Sequence, residues 1–242
     1  MLNDIQKTAV IASIGLVLSA WIVAQSVVQV KTSANQTIAV TGSSHEMVTS
    51  DLANWTIHIA NKQADRKVAY QNLKHDKKLV SDWLIQQGIQ PEQISTGRMD
   101  TNTYYQRDHR GYSTDIITGY KLSQNIRVQT HDIQKIHTLS NDINELLNQG
   151  IDLESYSPQY LYTKLDDLKV RKLGEAIENA KARANSMAEH SGSHVGTIQS
   201  ARMGVFQITS PHSNDVSDYG INDTSSIDKK VTAVVNVNFY LK

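Results

Sequence analysis

The chain of 242 residues contains no cysteine. Disulfide staples, thiolate zinc sites and cysteine nucleophiles are therefore excluded, and this absence fits a protein of the periplasm. Neither sign of charge is in excess. Residues 1–31 hold two lysines, Lys7 and Lys31, and one acid, Asp4, which leaves 22 basic and 23 acidic side chains in the remainder, a net charge of −1. A nucleic-acid binder carries a basic excess or stripe, so nucleic acid is not an expected partner. Also missing are a P-loop, a dinucleotide glycine fingerprint, a zincin helix and a nucleophile elbow. No cofactor and no resident metal are expected. What is present is 39% hydrophobic and 20% charged, ordinary for a globular protein. The length beyond residue 31 suits one domain or two small ones.

Residues 8–30, TAVIASIGLVLSAWIVAQSVVQV, lack any charge. About 20 residues of helix span the hydrocarbon core of a bilayer, so the run is long enough to cross one. A cleaved signal peptide is the competing reading, with Ala24-Gln25-Ser26 as its small-residue site. Apolar residues continue through Val27, Val28 and Val30, which favours an uncleaved anchor. A helix buried in a soluble domain seldom stays uncharged on every face. Lys7 and Lys31 nearly balance across the run, but Lys7 joins the α-amino group on the short side. The expected location is therefore the cell inner membrane, single-pass, with the tail inside and residues 32–242 in the periplasm. Cleavage would instead release a soluble periplasmic protein.

The remainder reads as α+β. In residues 52–61, Ala53, Trp55, Ile57 and Ile59 alternate with Asn54, Thr56 and His58, the period of a half-buried antiparallel strand. A strand is expected before it, over residues 37–44. A helix over residues 64–87 carries Ala69, Leu73, Val80 and Leu84 on one stripe, interrupted by Lys77 and stopped at Gly88. Strand patterns over 93–106 and 114–130 flank a turn at Asp108, His109, Arg110 and Gly111 and predict a long hairpin. Asp132 is a good N-cap for the next helix, with Ile136, Leu139, Ile143 and Leu146 before Gly150. After a tyrosine-rich strand over 153–162, Thr163 and Asp166 have capping-box spacing at the head of the longest helix, which ends near His190. Strands over 195–208 and 230–241 close the chain. The order ββα-ββ-α-β-α-ββ predicts an antiparallel sheet with helices packed on one side, preceded by one N-terminal transmembrane helix.

Within the long helix Ala176, Ala180, Ala184 and Ala188 recur every four residues. Small side chains at that spacing let a helix lie close to its neighbour. Arg171, Lys172, Glu175, Glu178, Lys181 and Arg183 surround the row, which predicts a water-exposed helix lying flat on the sheet.

Taken together these pieces resemble the SIMPL-domain family, periplasmic proteins often described as oxidative-stress defence proteins. The likeness covers nearly all of residues 36–242. It rests on Val40-Thr41-Gly42, Leu84 with Gly88-Ile89, Gly119-Tyr120, Asp132, the alanine row, and Gly192 with Gly196. Two positions depart from the family pattern: Ser50-Asp51 replaces its usual Pro-Asp, and Lys77 stands where an apolar residue is usual. The resemblance implies an extracytoplasmic α+β module, linked to stress tolerance and without an established reaction.

Nine histidines are the remaining candidates for chemistry. His131 and His137 fall on different helix faces, and Ser191-Gly192-Ser193 breaks the helix between His190 and His194, so ligation at i,i+4 is not expected. His58 lies on the polar face of its strand. Asp166 and Asp167 complement a helix N-terminus, a structural role. The residues that draw attention are Tyr104, Tyr105, Arg107, Arg110 and Tyr112 at the hairpin tip, where aromatics interleave with arginines. The expected function is non-enzymatic: a membrane-anchored module acting by self-assembly or contact with an envelope protein, in oxidative or envelope stress tolerance. Its expected partners are further copies of itself, an envelope protein, and the membrane through residues 8–30. The alternative is an envelope hydrolase, or a binder of a small molecule or glycan, using the tyrosine-rich tip or a histidine.

Overall fold

Strand β2 (Leu52–Gln63) shows why the alternating pattern was informative. Ala53, Trp55, Ile57 and Ile59 are all fully buried, and each removes its apolar surface from water on the same face of one sheet. The computed structural model describes Gly15, residues 17–26 and residues 36–242. Most of the expected membrane segment, residues 8–30, lies outside these. Residues 17–26 are helical, and Val17, Leu18, Trp21, Ile22 and Val23 are exposed. Among the described residues no helix is long and apolar enough to cross a membrane.

The chain divides into two compact units, each assembled from separated segments. The first comprises the chain up to Glu46, Asp166–Phe206 and Thr232–Lys242; the second comprises Met47–Leu165 and Gln207–Val231. In the second unit β2 pairs antiparallel with β4 (Ser113–Thr130) from Ala53↔Thr130 to Gln63↔Tyr120. Strand β3 (Ile94–Arg107) lies outside β4, and β5 (Asp152–Ser155) and β6 (Gln159–Leu161) share the other side of β2. The strand expected over 153–162 is thus two short strands. Pro158 has no N–H to donate to a ladder, and the pairing is interrupted there.

Helix α1 (Arg66–Gln86) begins at Asp65, whose side chain accepts from the N–H groups of Lys67 and Val68. Its buried stripe holds Ala69, Leu73, Val80 and Leu84 as expected, but the polar member is Asp76 rather than Lys77. Trp83 is buried beside this stripe as well, and at 3.6 residues per turn it moves the centre of the buried face toward position 76 and away from 77. Asn61 donates to the Asp76 carboxylate at 3.1 Å, so the buried acid is partnered. Asp132 caps α2 (Ile133–Asp142) by accepting from the Lys135 N–H. Thr163 is not the expected capping-box acceptor: its N–H and hydroxyl both donate to the Asp51 carboxylate, at 2.7 and 2.8 Å.

The expectation of a single sheet is also corrected. The strands form two five-stranded sheets, the second ordered β1-β10-β8-β9 with β7 also on β10. Here β1 is Thr37–Thr49, β7 Val195–Met203, β8 Gln207–Thr209, β9 Ile221–Asn222 and β10 Asp228–Leu241. The β8–β9 pair is parallel. Alternation reveals which face of a strand is buried but not which strand lies beside it, so the partition into sheets was hidden. The strand expected over 195–208 breaks at Gly204, where the chain leaves the ladder and the Gly204 N–H donates to the Val234 carbonyl at 2.8 Å.

The core of the first unit is built on the alanine row of α3 (Leu165–His190). Ala176, Ala180, Ala184 and Ala188 are essentially without exposure, and the first three pack against Val40 and the Ala233–Phe239 face of β10. Gly42 on β1 is the reason the helix comes so close. A Cβ at that position would stand 2.1 Å from the Ala176 carbonyl oxygen and 2.6 Å from the Ala180 nitrogen. One turn before the alanines the row continues with Lys172, which the sequence placed among the solvated charges. Its side chain is only 6% exposed. The ammonium is 2.8 Å from Glu46 and 2.6 Å from Glu175; Arg171 also pairs with Glu46, and the Ser44 hydroxyl donates to Glu175. Those two hydrogen bonds raise the Lys172 pKa against the opposing effect of burial. The Lys172 hydrogen bond, aided by Arg171, holds Glu46 below its ordinary value, and Lys172 and Ser44 do the same for Glu175.

Two predictions follow from this packing and charge. Gly42→Ala should lose about 3 kcal/mol and Ala184→Leu roughly 1–3 kcal/mol in denaturant melts, because neither helix backbone nor strand has room to give. Gly174→Ala on the same helix meets nothing within 4 Å and should gain about 0.5–1 kcal/mol, the usual benefit of replacing a helical glycine. The ion cluster stabilises fully above the ordinary carboxylate value of 4.5 and loses that contribution as pH falls through the lowered values of Glu46 and Glu175. At the basic end the Lys172 contribution, intact below 10.5, is lost as pH rises through its raised value. Melting temperature followed below pH 4.5 should therefore fall less steeply in Lys172→Met than in the parent; parallel slopes would remove the cluster from the acid transition.

Candidate interaction surface

The long hairpin forms as the alternation predicted, with β3 and β4 paired from Ile94↔Val128 to Arg107↔Ser113. Its inner part is covered, because β2 lies along β4 as far as Tyr120. Gly119 marks the end of that cover: a Cβ there would stand 2.9 Å from the Gln63 carbonyl oxygen, where β2 stops. Beyond it, residues 113–119 of β4 and the end of β3 continue as two strands alone, a ribbon about 20 Å long at 3.3 Å per residue. The turn that closes it is well held. The Asp108 carboxylate accepts from the N–H groups of Arg110 and Tyr112, both at 2.9 Å, and Gly111 adopts φ 83°.

Of the five tip residues singled out by sequence, four sit on the projecting part and one at its root. Tyr104 pairs with Gly119, and the Lys62 ammonium lies 4.3 Å from the centre of its ring, a cation–π contact that fixes the ribbon's base. Tyr105, Arg107, Arg110 and Tyr112 are exposed further out, Tyr112 to 70%. The sequence reading passed over Ile116 and Ile117, which are 59% and 47% exposed. Ile117 lies opposite Tyr105, so the two form one apolar cross-strand pair. The signal was present: in a strand of period two, adjacent isoleucines put one apolar side chain on each face.

Three of the candidate histidines are engaged within the fold. His58 Nδ1 meets the Asn125 side-chain oxygen at 2.8 Å, His137 Nδ1 meets the Tyr160 hydroxyl at 3.3 Å, and His131 bonds the Asp51 carbonyl. Among the described residues no three His, Asp or Glu side chains converge as a metal site requires. Asp166 and Asp167 lie in the first turn of α3.

A cavity of about 240 Å³ lies in the second unit, lined by Tyr160, Leu161, Ile208 and Val231 together with Asp223 and Lys229. Sequence reasoning did not find it, because its walls come from three separated stretches. Burial lowers the Lys229 pKa while the nearby Asp223 charge opposes this. The amine is nonetheless committed, donating to the Asp223 and Ser226 carbonyls at 2.6 Å each. Burial works to raise the Asp223 pKa, but hydrogen bonds from Ser226 and Ser225 hold it far below the usual carboxylate range. The pair stitches the loop into β10; the Lys229 amine is occupied, while the Asp223 Oδ2 atom is buried without a hydrogen-bond partner.

The family profile SIMPL, described as a protein of unknown function (DUF541), matches residues 38–239. The chain belongs to the SIMPL family. A SIMPL relative is "Uncharacterized protein YggE" of Edwardsiella ictaluri (strain 93-146), 24% identical over 157 residues. That match covers 63% of this chain and 61% of the relative. The SIMPL match takes in both Gly42, where the helix meets the strand, and Gly119, where the ribbon leaves the sheet.

Proposed function

We propose that this SIMPL protein is a non-enzymatic, membrane-anchored module of the cell envelope that works by self-assembly through the β3–β4 ribbon, in the service of oxidative or envelope stress tolerance. One observation carries the reading: a two-stranded ribbon extends past its sheet while exposing Tyr105, Tyr112, Ile116 and Ile117. A bare two-stranded ribbon is marginal in water, and its open edges recruit other chains. Aromatic side chains are favoured at the centre of protein interfaces. Anchoring supports assembly, because it confines copies to two dimensions. The uncharged run over residues 8–30 and the exposed apolar side chains of residues 17–26 support an inner-membrane anchor with the folded units in the periplasm. The alternative, a hydrolase or a small-molecule or glycan binder, draws less support, since His58, His131 and His137 are each tied to a neighbour within the fold.

The anchor is tested by fractionation. The full-length protein should remain with membranes through high salt and carbonate, with a mass that includes residue 1; a soluble pool beginning at Val27 would show a cleaved signal instead. Assembly is tested by light scattering on the detergent-solubilised chain, where an oligomer is expected. Replacing residues 106–112 with an Asn-Gly turn should shift it to monomer while leaving the melting cooperative. A parent that is monomeric at high micromolar concentration overturns the reading.

A further inference from the structure

The cavity of the second unit holds about 240 Å³ between walls that are mostly apolar, among them Leu52, Leu161, Ile208 and Val231. Those walls are fixed by bonds of their own. The Tyr160 N–H donates to the Thr224 carbonyl at 2.7 Å and the Asp223 N–H to the Ile208 carbonyl at 2.9 Å, while Thr163 is bonded twice to Asp51. A space formed in advance spares an occupant the cost of ordering its walls. Asp223 and Lys229 also line it, and the two oxygens of the Asp223 carboxylate fare differently. Oδ1 accepts from the Ser225 N–H at 2.8 Å, the Ser225 hydroxyl at 2.7 Å and the Ser226 N–H at 3.3 Å. Oδ2 is buried and accepts nothing. An ionised carboxylate is an acceptor only, so Oδ2 is satisfied by a donor and by nothing else. Lys229, only 3% exposed, spends its ammonium on the Asp223 and Ser226 carbonyls. Its charge balances that of Asp223, so a charged occupant would bring an uncompensated charge into an apolar space. A single water, with a share of about 30 Å³, would leave most of the volume unfilled.

We propose that this cavity binds a small neutral amphiphile, an apolar body of single-ring size carrying one hydroxyl that donates to Asp223 Oδ2. Size sets the body. A dry apolar cavity of about 150 Å³ takes a benzene, and the larger volume here admits a ring together with a short arm. Charge sets the head group, because the Asp223–Lys229 pair is already neutral as it stands. The unpartnered oxygen sets the donor: a hydroxyl brings one O–H, which exchanges a buried unsatisfied acceptor for a charge-assisted bond. The site shares no residue with the β3–β4 ribbon, so it stands or falls apart from the assembly reading.

Benzyl alcohol and anisole are isomers of nearly equal size, and only the first has an O–H to give. Equilibrium dialysis of the full-length, detergent-solubilised protein against protein-free micelles should show saturable binding of benzyl alcohol, roughly tenfold tighter than that of anisole. Benzylamine, protonated at neutral pH, should bind more weakly than benzyl alcohol. Asp223→Asn keeps an oxygen for the Ser225 and Ser226 donors and puts an amide NH₂ in place of Oδ2; it should bring the two isomers within about twofold of each other by removing the charged acceptor. Val231→Phe fills the space and should abolish saturable binding of benzyl alcohol while the protein still melts cooperatively. Equal binding of the isomers by the parent overturns the hydroxyl contact, and tighter binding of benzylamine overturns the neutral ligand. No saturable binding of benzyl alcohol overturns the site, as does binding that survives in a cooperatively melting Val231→Phe. Should that variant not fold, Asp223→Asn decides: an unchanged preference for benzyl alcohol places the hydroxyl elsewhere and overturns the proposal.

Discussion

Everything in the first unit depends on a side chain that is not there. A strand can approach a helix closely only where neither presents bulk, and Gly42 meets the Ala176–Ala180 turn with backbone against side chain at contact distance. That approach lets Val40 and the alternating face of β10, from Ala233 to Phe239, close over the alanine row without a gap. It also decides where Lys172 must go. A helix held this near the strand puts its next inward position beside Glu46 at the far end of β1, and a long stem carrying a charge fits there because Glu46 and Glu175 receive it. Taking a charge out of water is costly unless partners compensate, and here the compensation is complete enough to raise the lysine's pKa rather than lower it.

Much of this was legible from sequence because it was periodic. The alternation of β2, the hairpin arms, the Asp132 cap and the four-residue alanine spacing each state a local geometry in a few adjacent letters, and each formed as read. What was not legible is relational. Nothing local says that β10 belongs with β1 and not with β2, or that Pro158 and Gly204 cut two expected strands into four. Asp76 rather than Lys77 enters the stripe because Trp83, left out of the stripe read from sequence, is also buried and turns the face toward position 76. Lys172 looked solvated because it stands among Arg171, Glu178, Lys181 and Arg183, which are all exposed. The tip surface was half visible: its tyrosines and arginines announced themselves, whereas Ile116 and Ile117 became informative only once the end of β2 was known.

The two regions show contrasting ways of using a sheet edge. Along most of β4 the edge is closed by eleven consecutive pairs with β2, and the residues inside, from Leu122 to Val128, join the main core. A single glycine further on, the same strand runs uncovered. Family membership fixes neither the reaction nor the partner, since SIMPL is described as a protein of unknown function. The chemistry of the surface therefore carries the functional argument. Aromatic and branched side chains on a projecting ribbon lose water readily on association, whereas His58, His131, His137 and the buried lysine are already hydrogen-bonded.

The Leu241 N–H donates to the Gln36 carbonyl at 2.9 Å, so the first strand and the last lie together. A ribosome releases these residues some two hundred positions apart. Until the final strand emerges, β1 has no neighbour in its sheet, and the alanine row has only part of the surface meant to cover it. The first unit is thus the earliest begun and the latest completed, a topology in which long-range contacts make closure slow. For as long as synthesis lasts, an edge strand and an apolar helix face remain open to the solvent, and escorting the unfinished chain falls to other molecules in the cell.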